Sequence, residues 1–309
     1  MPLLPAPLER VNPARPCPER TEPLRASKRR PVVSARRGVR RVPESLRPIL
    51  ALTLERKDAA RRLGRPEVWQ AAIEGCRVIT SPDGVELRSG PVSTLADRTI
   101  LDLAGVRRLG SYHGARSTLS LHPARFAIDG HMHTVHAESM LEKYWMTLAD
   151  RDPNVLGYVG QGAVLAWPIG DEGYITHFID IVVQEAAGIT LVAVKPDLHI
   201  VEYAALLLRG LMPATARAHG LGYSLCGSLD EQTLVNLRTL GALRWKAPVA
   251  AESWWSPAPA NMAVSVGRLT NQWGGGPLGR GRVLRALAQC HLDIDLSLPI
   301  RTTTQAVWR

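Results

Sequence analysis

Four residues of this chain could do chemistry by their types and order: Glu138 and Glu142, four apart, Asp180 inside the apolar run HFIDIVV, and Lys195 closing the run LVAVKP. Carboxylates on neighbouring elements are hard oxygen donors of the kind Mg²⁺ accepts. One or two such ions polarise a phosphate and lower the pKa of an attacking water. A lysine beside them stabilises charge on a pentacoordinate phosphorus or orients that water. Taken singly each residue has an ordinary explanation, as a solvated helix carboxylate, an outward-facing strand aspartate or a strand-ending lysine. Their succession along the chain is what points to phosphodiester hydrolysis.

The elements that must position them can be read from hydrophobic period. ESMLEKYWMTLAD at 138–150 predicts a helix with Leu141, Tyr144, Trp145 and Leu148 on one face and Glu138 and Glu142 together on another, ending before Asp152-Pro153. FAIDGHMHTVHA at 126–137 predicts strand, turn and strand ahead of it. AVLAWPI, YITHFIDIVV and ITLVAVKP then predict three consecutive strands, divided at 170–173 and 185–188. The second of those turns brings Asp180 and Lys195 onto neighbouring strands, and alternation puts Lys195 on the face of residue 193. EYAALLLRGLMPATARAHG predicts a helix interrupted at Pro213, YSLCG another strand, and SLDEQTLVNLRTLGAL a helix capped by Ser228. Helix, three strands, helix, strand and helix make an α/β domain with a mixed sheet.

On either side the chain changes character. Residues 1–47 hold twelve Lys or Arg, four Glu and nine prolines, the composition of a disordered basic tail. Its clusters SKRR and SARRGVRR offer Lys28, Arg29, Arg30, Arg36, Arg37, Arg40 and Arg41 to phosphates. Residues 48–125 predict a small α+β region, with two helices broken at Gly64 and Pro66 and a hairpin of CRVIT and VELRS about SPDG. The segment 246–282 is rich in Pro and Gly and predicts a loop, followed by a helix at VLRALAQC and a strand at LDIDLSLPI; together 246–309 form a C-terminal appendage.

The succession AESMLEKYWMTLADRDPNV, QGAVLAW, HFIDIVV, LVAVKP and LVNLRTLGALR resembles the TnsA-like endonuclease subunits of heteromeric transposases over about residues 106–245. The resemblance implies a restriction-endonuclease-like core, at 126–245, with a mixed sheet flanked by helices. It implies an Mg²⁺-dependent DNA endonuclease, with Mn²⁺ as a substitute, that cuts at transposon ends beside a transposase subunit and an ATPase regulator. By its pattern Glu142 is the helix acid, Glu138 its neighbour or substitute, Asp180 the central metal ligand and Lys195 the catalytic lysine. Gln161-Gly162 stands where the family has Gln-Pro, and Ile179-Asp180 where it has Pro-Asp. Ala193 stands where the pattern carries a side-chain oxygen, so the backbone carbonyl of Val194 and the second glutamate are left to compensate. The alternative the resemblance leaves is a catalytically degenerate subunit that binds DNA and assembles the same machinery.

Composition agrees with a polyanionic partner. The net charge is +10, although only five of the 38 basic residues are lysines, a bias GC-rich coding also produces. No apolar run approaches the roughly 18 residues of a membrane helix, and no signal-type segment precedes the arginines, so a cytoplasmic location is expected, with no membrane partner. Cys17, Cys76, Cys226 and Cys290 lie too far apart for a zinc ribbon and are expected as thiols. His131, His133 and His136 form an HxHxxH cluster that could hold zinc, but no fourth ligand is near in sequence, and a structural role is preferred. Trp254 and Trp255 are expected to pack a loop rather than stack on bases.

Overall fold

The computed structural model describes residues 56–84, 86–106, 120–196, 202–244 and 249–309. The chain divides after Gly227 into two compact units. The basic residues Lys28 to Arg41 singled out above lie outside the described residues.

The first unit opens with helices α1 (Arg56–Leu63) and α2 (Pro66–Glu74), separated where expected by Gly64 and Pro66, with Pro66 in the first turn of α2, where its missing N–H costs nothing. Strands β1 (Arg77–Thr80) and β2 (Arg88–Pro91) form a hairpin as expected, but the second strand starts three residues later than the expected one at 85–89. β1 also pairs antiparallel with β6 (Ala163–Pro168), so residues 48–125 do not stand apart from the core: they contribute strands to it. The sheet runs β2-β1-β6-β7, with β7 at Tyr174–Phe178.

A second sheet runs β10-β9-β8-β5, built from β5 (Val155–Gly160), β8 (Ile181–Glu185), β9 (Gly188–Val194) and β10 (Gly222–Cys226). β8 pairs antiparallel with both β5 and β9, and β10 lies parallel to β9, so the sheet is mixed as expected. Such a parallel pair needs a crossover. Helices α4 (Glu202–Ala205) and α5 (Met212–Ala218) supply it, joined by a π-helical turn at Leu206–Leu211. Pro213 cannot donate to a carbonyl one turn back, and the widened turn just before it absorbs the misfit without breaking the helix.

Between the sheets the chain crosses twice. YITHFIDIVV is not one strand: β7 keeps register with β6 as far as Phe178, and β8 begins at Ile181 in the other sheet, leaving Ile179 and Asp180 at the crossing. The other crossing, from β5 to β6, is Gln161-Gly162. Backbone bonds tie the two together, Gln161 N–H to the Asp180 carbonyl at 3.0 Å and Ile179 N–H to the Ala163 carbonyl at 2.9 Å. β5 was hidden in the sequence by its glycines. At Gly160 a Cβ would stand 2.0 Å from the His136 carbonyl oxygen, so only glycine lets the strand pass so close to the hairpin beside it.

That hairpin is β3 (Ser120–Arg125) with β4 (Met132–Ala137), set earlier than the sequence suggested: residues 126–131 are its turn, not a strand. Helix α3 (Met140–Ala149) follows. Its buried stripe is Glu142, Met146 and Ala149 with Leu148, whereas Leu141, Tyr144 and Trp145 are only half-buried. The expected apolar face is thus rotated, and a carboxylate lies in the buried stripe. The larger of two buried clusters includes Trp167, Tyr158, Met146, Leu165 and Leu191, with Trp167 Nε1 donating to Thr215 Oγ1 at 2.8 Å within it, and a smaller one gathers Ile79, Leu87, Val106, Val164 and Ala166.

The second unit holds α6 (Glu231–Leu243), β11 (Ala263–Ser265), α7 (Val266–Gln272), α8 (Gly276–Ala288), β12 (Leu292–Asp293) and β13 (Gln305–Trp308). α6 is capped by Asp230, which accepts from Thr233 N–H at 2.8 Å, and not by Ser228. The boundary thus falls before α6 instead of near 245, because α6 packs on α8 and Asn236 Nδ2 donates to the Leu296 and Leu298 carbonyls. Within 246–282, expected as loop, the structure has β11, α7 and the start of α8, and LDIDLSLPI yields only the two residues of β12. Trp254, Trp255, Trp273 and Trp308 pack against one another, with the Arg282 guanidinium 5.1 Å over Trp254.

Candidate active site

Asp180 sits at the mouth of the crossing, 5% exposed, where three donors converge on it. Val194 N–H reaches its Oδ2 at 2.8 Å and Lys195 Nζ the same oxygen at 2.9 Å, while Gln161 Nε2 stands 3.5 Å from Oδ1. Pairing of Ile181 with Val192 fixes the register that delivers these contacts. Continued by one residue, it sets Ala193 opposite Asp180, and Ala193 is fully buried. The expected neighbour relation of Asp180 and Lys195 is therefore present, and the position lacking a side-chain oxygen lies beside them.

Glu142 joins from α3. Ser139 caps that helix by accepting from Glu142 N–H at 3.1 Å, and the Glu142 carboxylate returns the contact, accepting from Ser139 Oγ and from Glu138 N–H, each at 2.9 Å. Glu142 is 5% exposed. Burial pushes its carboxyl up to about 7; the charge of Asp180 adds to the push, and the bonds from Glu138 and Ser139 oppose it. Glu138 is half-buried at the helix entrance and supplies Glu142 with its backbone N–H. Val194 likewise touches the site through its N–H, donated to Asp180.

Two residues here were not assigned to the site from the sequence. Gln161 is buried, with φ of 54°, and its Oε1 is enclosed without a hydrogen-bond partner. His177, on β7, has its Nε2 enclosed and also unpartnered. Burial pulls His177 down to about 4, Asp180 opposing and Lys195 assisting, so it is neutral at pH 7. The QG dipeptide was a detectable signal for Gln161; His177 gave none, because its place depends on β7 ending where the chain changes sheets.

Among the described residues no group of three or more His, Cys, Asp and Glu is placed to hold a metal. The oxygen donors here are two carboxylates, Glu142 and Asp180, and the amide of Gln161, whose nitrogen stands near Asp180. That set fits Mg²⁺, which keeps several waters and is commonly held by one or two carboxylates together with substrate phosphates. The histidine cluster is dispersed: His131 and His136 are exposed, and His133 stacks on Phe126 and bonds Asp129 at 2.8 Å. Cys76 and Cys226 are free thiols, and burial pushes both upward, away from the reactive thiolate.

No protein-family model matches this sequence, and no curated protein matches it. Among the described residues no helix is long and apolar enough to cross a membrane.

Proposed function

We propose that this chain is a metal-dependent DNA endonuclease subunit of a heteromeric transposase, with a restriction-endonuclease-like core, cutting DNA at transposon ends. The observation that carries the reading is the ion pair of Asp180, at the crossing, with Lys195, just past β9, and beside it a buried helix carboxylate, Glu142, near enough to feel the charge of Asp180. Glu142 and Asp180 would hold Mg²⁺ or Mn²⁺, with Glu138 and the Val194 carbonyl as further candidates. The ion, when bound, polarises the scissile phosphate and activates water. Lys195, a third exposed at its side chain, is positioned by Asp180 to neutralise charge developing on the phosphate oxygens. His177, neutral and enclosed, contributes no charge at neutral pH. DNA, a joining transposase and an ATPase regulator are the partners this reading takes from the family resemblance, with a cytoplasmic site of action.

A second reading is favoured by one observation. Ala193 is apolar and buried where a third oxygen is expected, which suits an assembly subunit that binds DNA without cutting it. Nicking of a transposon-end duplex in the presence of the cognate transposase separates the two. The nuclease reading expects Mg²⁺-dependent cutting that Asp180→Ala abolishes. DNA and partner binding without cutting, under the same conditions, establishes the assembly reading instead.

A further inference from the structure

We infer that the side-chain oxygen of Gln161 is a protein ligand of the divalent cation, taking the place left by Ala193. The inference rests on the nuclease reading of the site and names the residue that completes it. Gln161 is 1% exposed, and its Oε1 is one of few enclosed side-chain acceptors among the described residues that meet no donor. Leaving such a group unsatisfied costs on the order of 1–3 kcal/mol. A cation bound to that oxygen would remove that cost.

The backbone tells the same story. A φ of 54° is unfavourable for a residue with a long side chain, and turn-forming alone is better served by glycine or asparagine. Two backbone bonds hold Gln161 there nonetheless, its N–H to the Asp180 carbonyl at 3.0 Å and its carbonyl from Val106 N–H at 2.6 Å. Its flanking glycines permit the passage: a Cβ at Gly162 would meet Val159 Cγ1 at 2.2 Å. The side chain is thereby aimed at Asp180 by the fold itself.

The spacing suits a shared ion. The Gln161 amide nitrogen stands 3.5 Å from Asp180 Oδ1, the outer limit of a hydrogen bond. Two oxygens in adjacent positions of an octahedron with bonds near 2.1 Å lie about 3.0 Å apart, so an amide this near Asp180 is within reach of a shared ion. A neutral amide also adds an oxygen without a third negative charge near Glu142 and Asp180.

The experiment is Mn²⁺ binding to the full chain by titration calorimetry at pH 8, with folding of each variant checked by thermal melting. Wild type is expected to bind and Asp180→Asn to lose binding. Gln161→Leu is expected to weaken Mn²⁺ binding about 10-fold or more, and Gln161→Glu, which keeps an oxygen, to bind at least as tightly as wild type. Unchanged binding in Gln161→Leu, with Asp180→Asn still defective, overturns the role of Gln161 and leaves the site standing. If Gln161→Leu does not fold, Gln161→Glu decides: weaker binding there means the amide served as a donor to Asp180, and the inference falls. Absence of Mn²⁺ binding in wild type, or binding by Asp180→Asn equal to wild type, removes the metal site and the inference with it.

Discussion

Lys195 Nζ, just past β9, lies 2.9 Å from Asp180 Oδ2, just before β8, and shares that oxygen with the Val194 N–H. The lysine is therefore held by the same carboxylate that we propose as the ion's ligand, and loss of either partner disturbs both charge and position. Lys195→Met leaves Asp180 buried with one strong donor fewer. Denaturant unfolding should show a loss on the order of 1–3 kcal/mol, and cleavage should fall at least about 100-fold. A stable variant with unchanged cleavage would mean that Lys195 only ends a strand.

Glu142 gives a pH prediction. Its carboxyl is raised from an ordinary 4.5 to about 7, so between those values the folded state holds a proton that the unfolded chain has released. Its contribution to stability is whole below pH 4.5 and lost as pH rises through 7, by on the order of 3 kcal/mol at most. Glu142→Gln should therefore gain in melting temperature relative to wild type between pH 5 and 8. A divalent cation needs the ionised form, so stabilisation by Mn²⁺ should grow through pH 7. Parallel pH profiles for wild type and variant would contradict this.

His177 runs the other way. With its pKa pulled down to about 4 from 6.5, the unfolded chain binds the extra proton, and this contribution to stability is lost as pH falls from 6.5 through 4. His177→Asn should flatten the acid limb of a pH-stability curve, read by chemical denaturation. An unaltered acid limb would place the ring in water.

Much of this arrangement was legible in the sequence, and the misses share a cause. The two N-terminal helices, the first hairpin and the pairing that brings Asp180 beside Lys195 follow from local period and turn residues. What local pattern could not carry was the change of sheet. YITHFIDIVV reads as one apolar run because nothing in it shows that Phe178 belongs to one sheet and Ile181 to another. The same blindness hid β5, whose glycines serve close packing, and with it the inward aim of Gln161. On α3 the buried stripe includes Glu142, which an apolar-face reading assigns to the polar side.

Ala193 tests whether the site is already complete. The residue is fully buried, so Ala193→Asp in wild type adds a third carboxylate to a filled space and should destabilise by about 1–3 kcal/mol with no gain in cleavage. In a Gln161→Leu background the same change restores an oxygen, and Mn²⁺ affinity should recover. A rise in cleavage on adding Ala193→Asp to wild type would show that Gln161 does not fill the role.

The sequence-derived tail is tested by deletion of residues 1–41. Affinity for duplex DNA should fall and the slope of log affinity against log salt should flatten, since fewer arginines release counterions. An unchanged slope would show that the clusters from Lys28 to Arg41 do not touch the backbone.

The most direct measurement is divalent-dependent strand cleavage by the full chain with its transposase, comparing wild type with Asp180→Asn at equal DNA occupancy. The account predicts nicking at the transposon end in Mg²⁺ or Mn²⁺, none in EDTA and none by Asp180→Asn. Equal DNA binding with no cleavage by wild type in either metal, or cleavage that persists in Asp180→Asn, would contradict it.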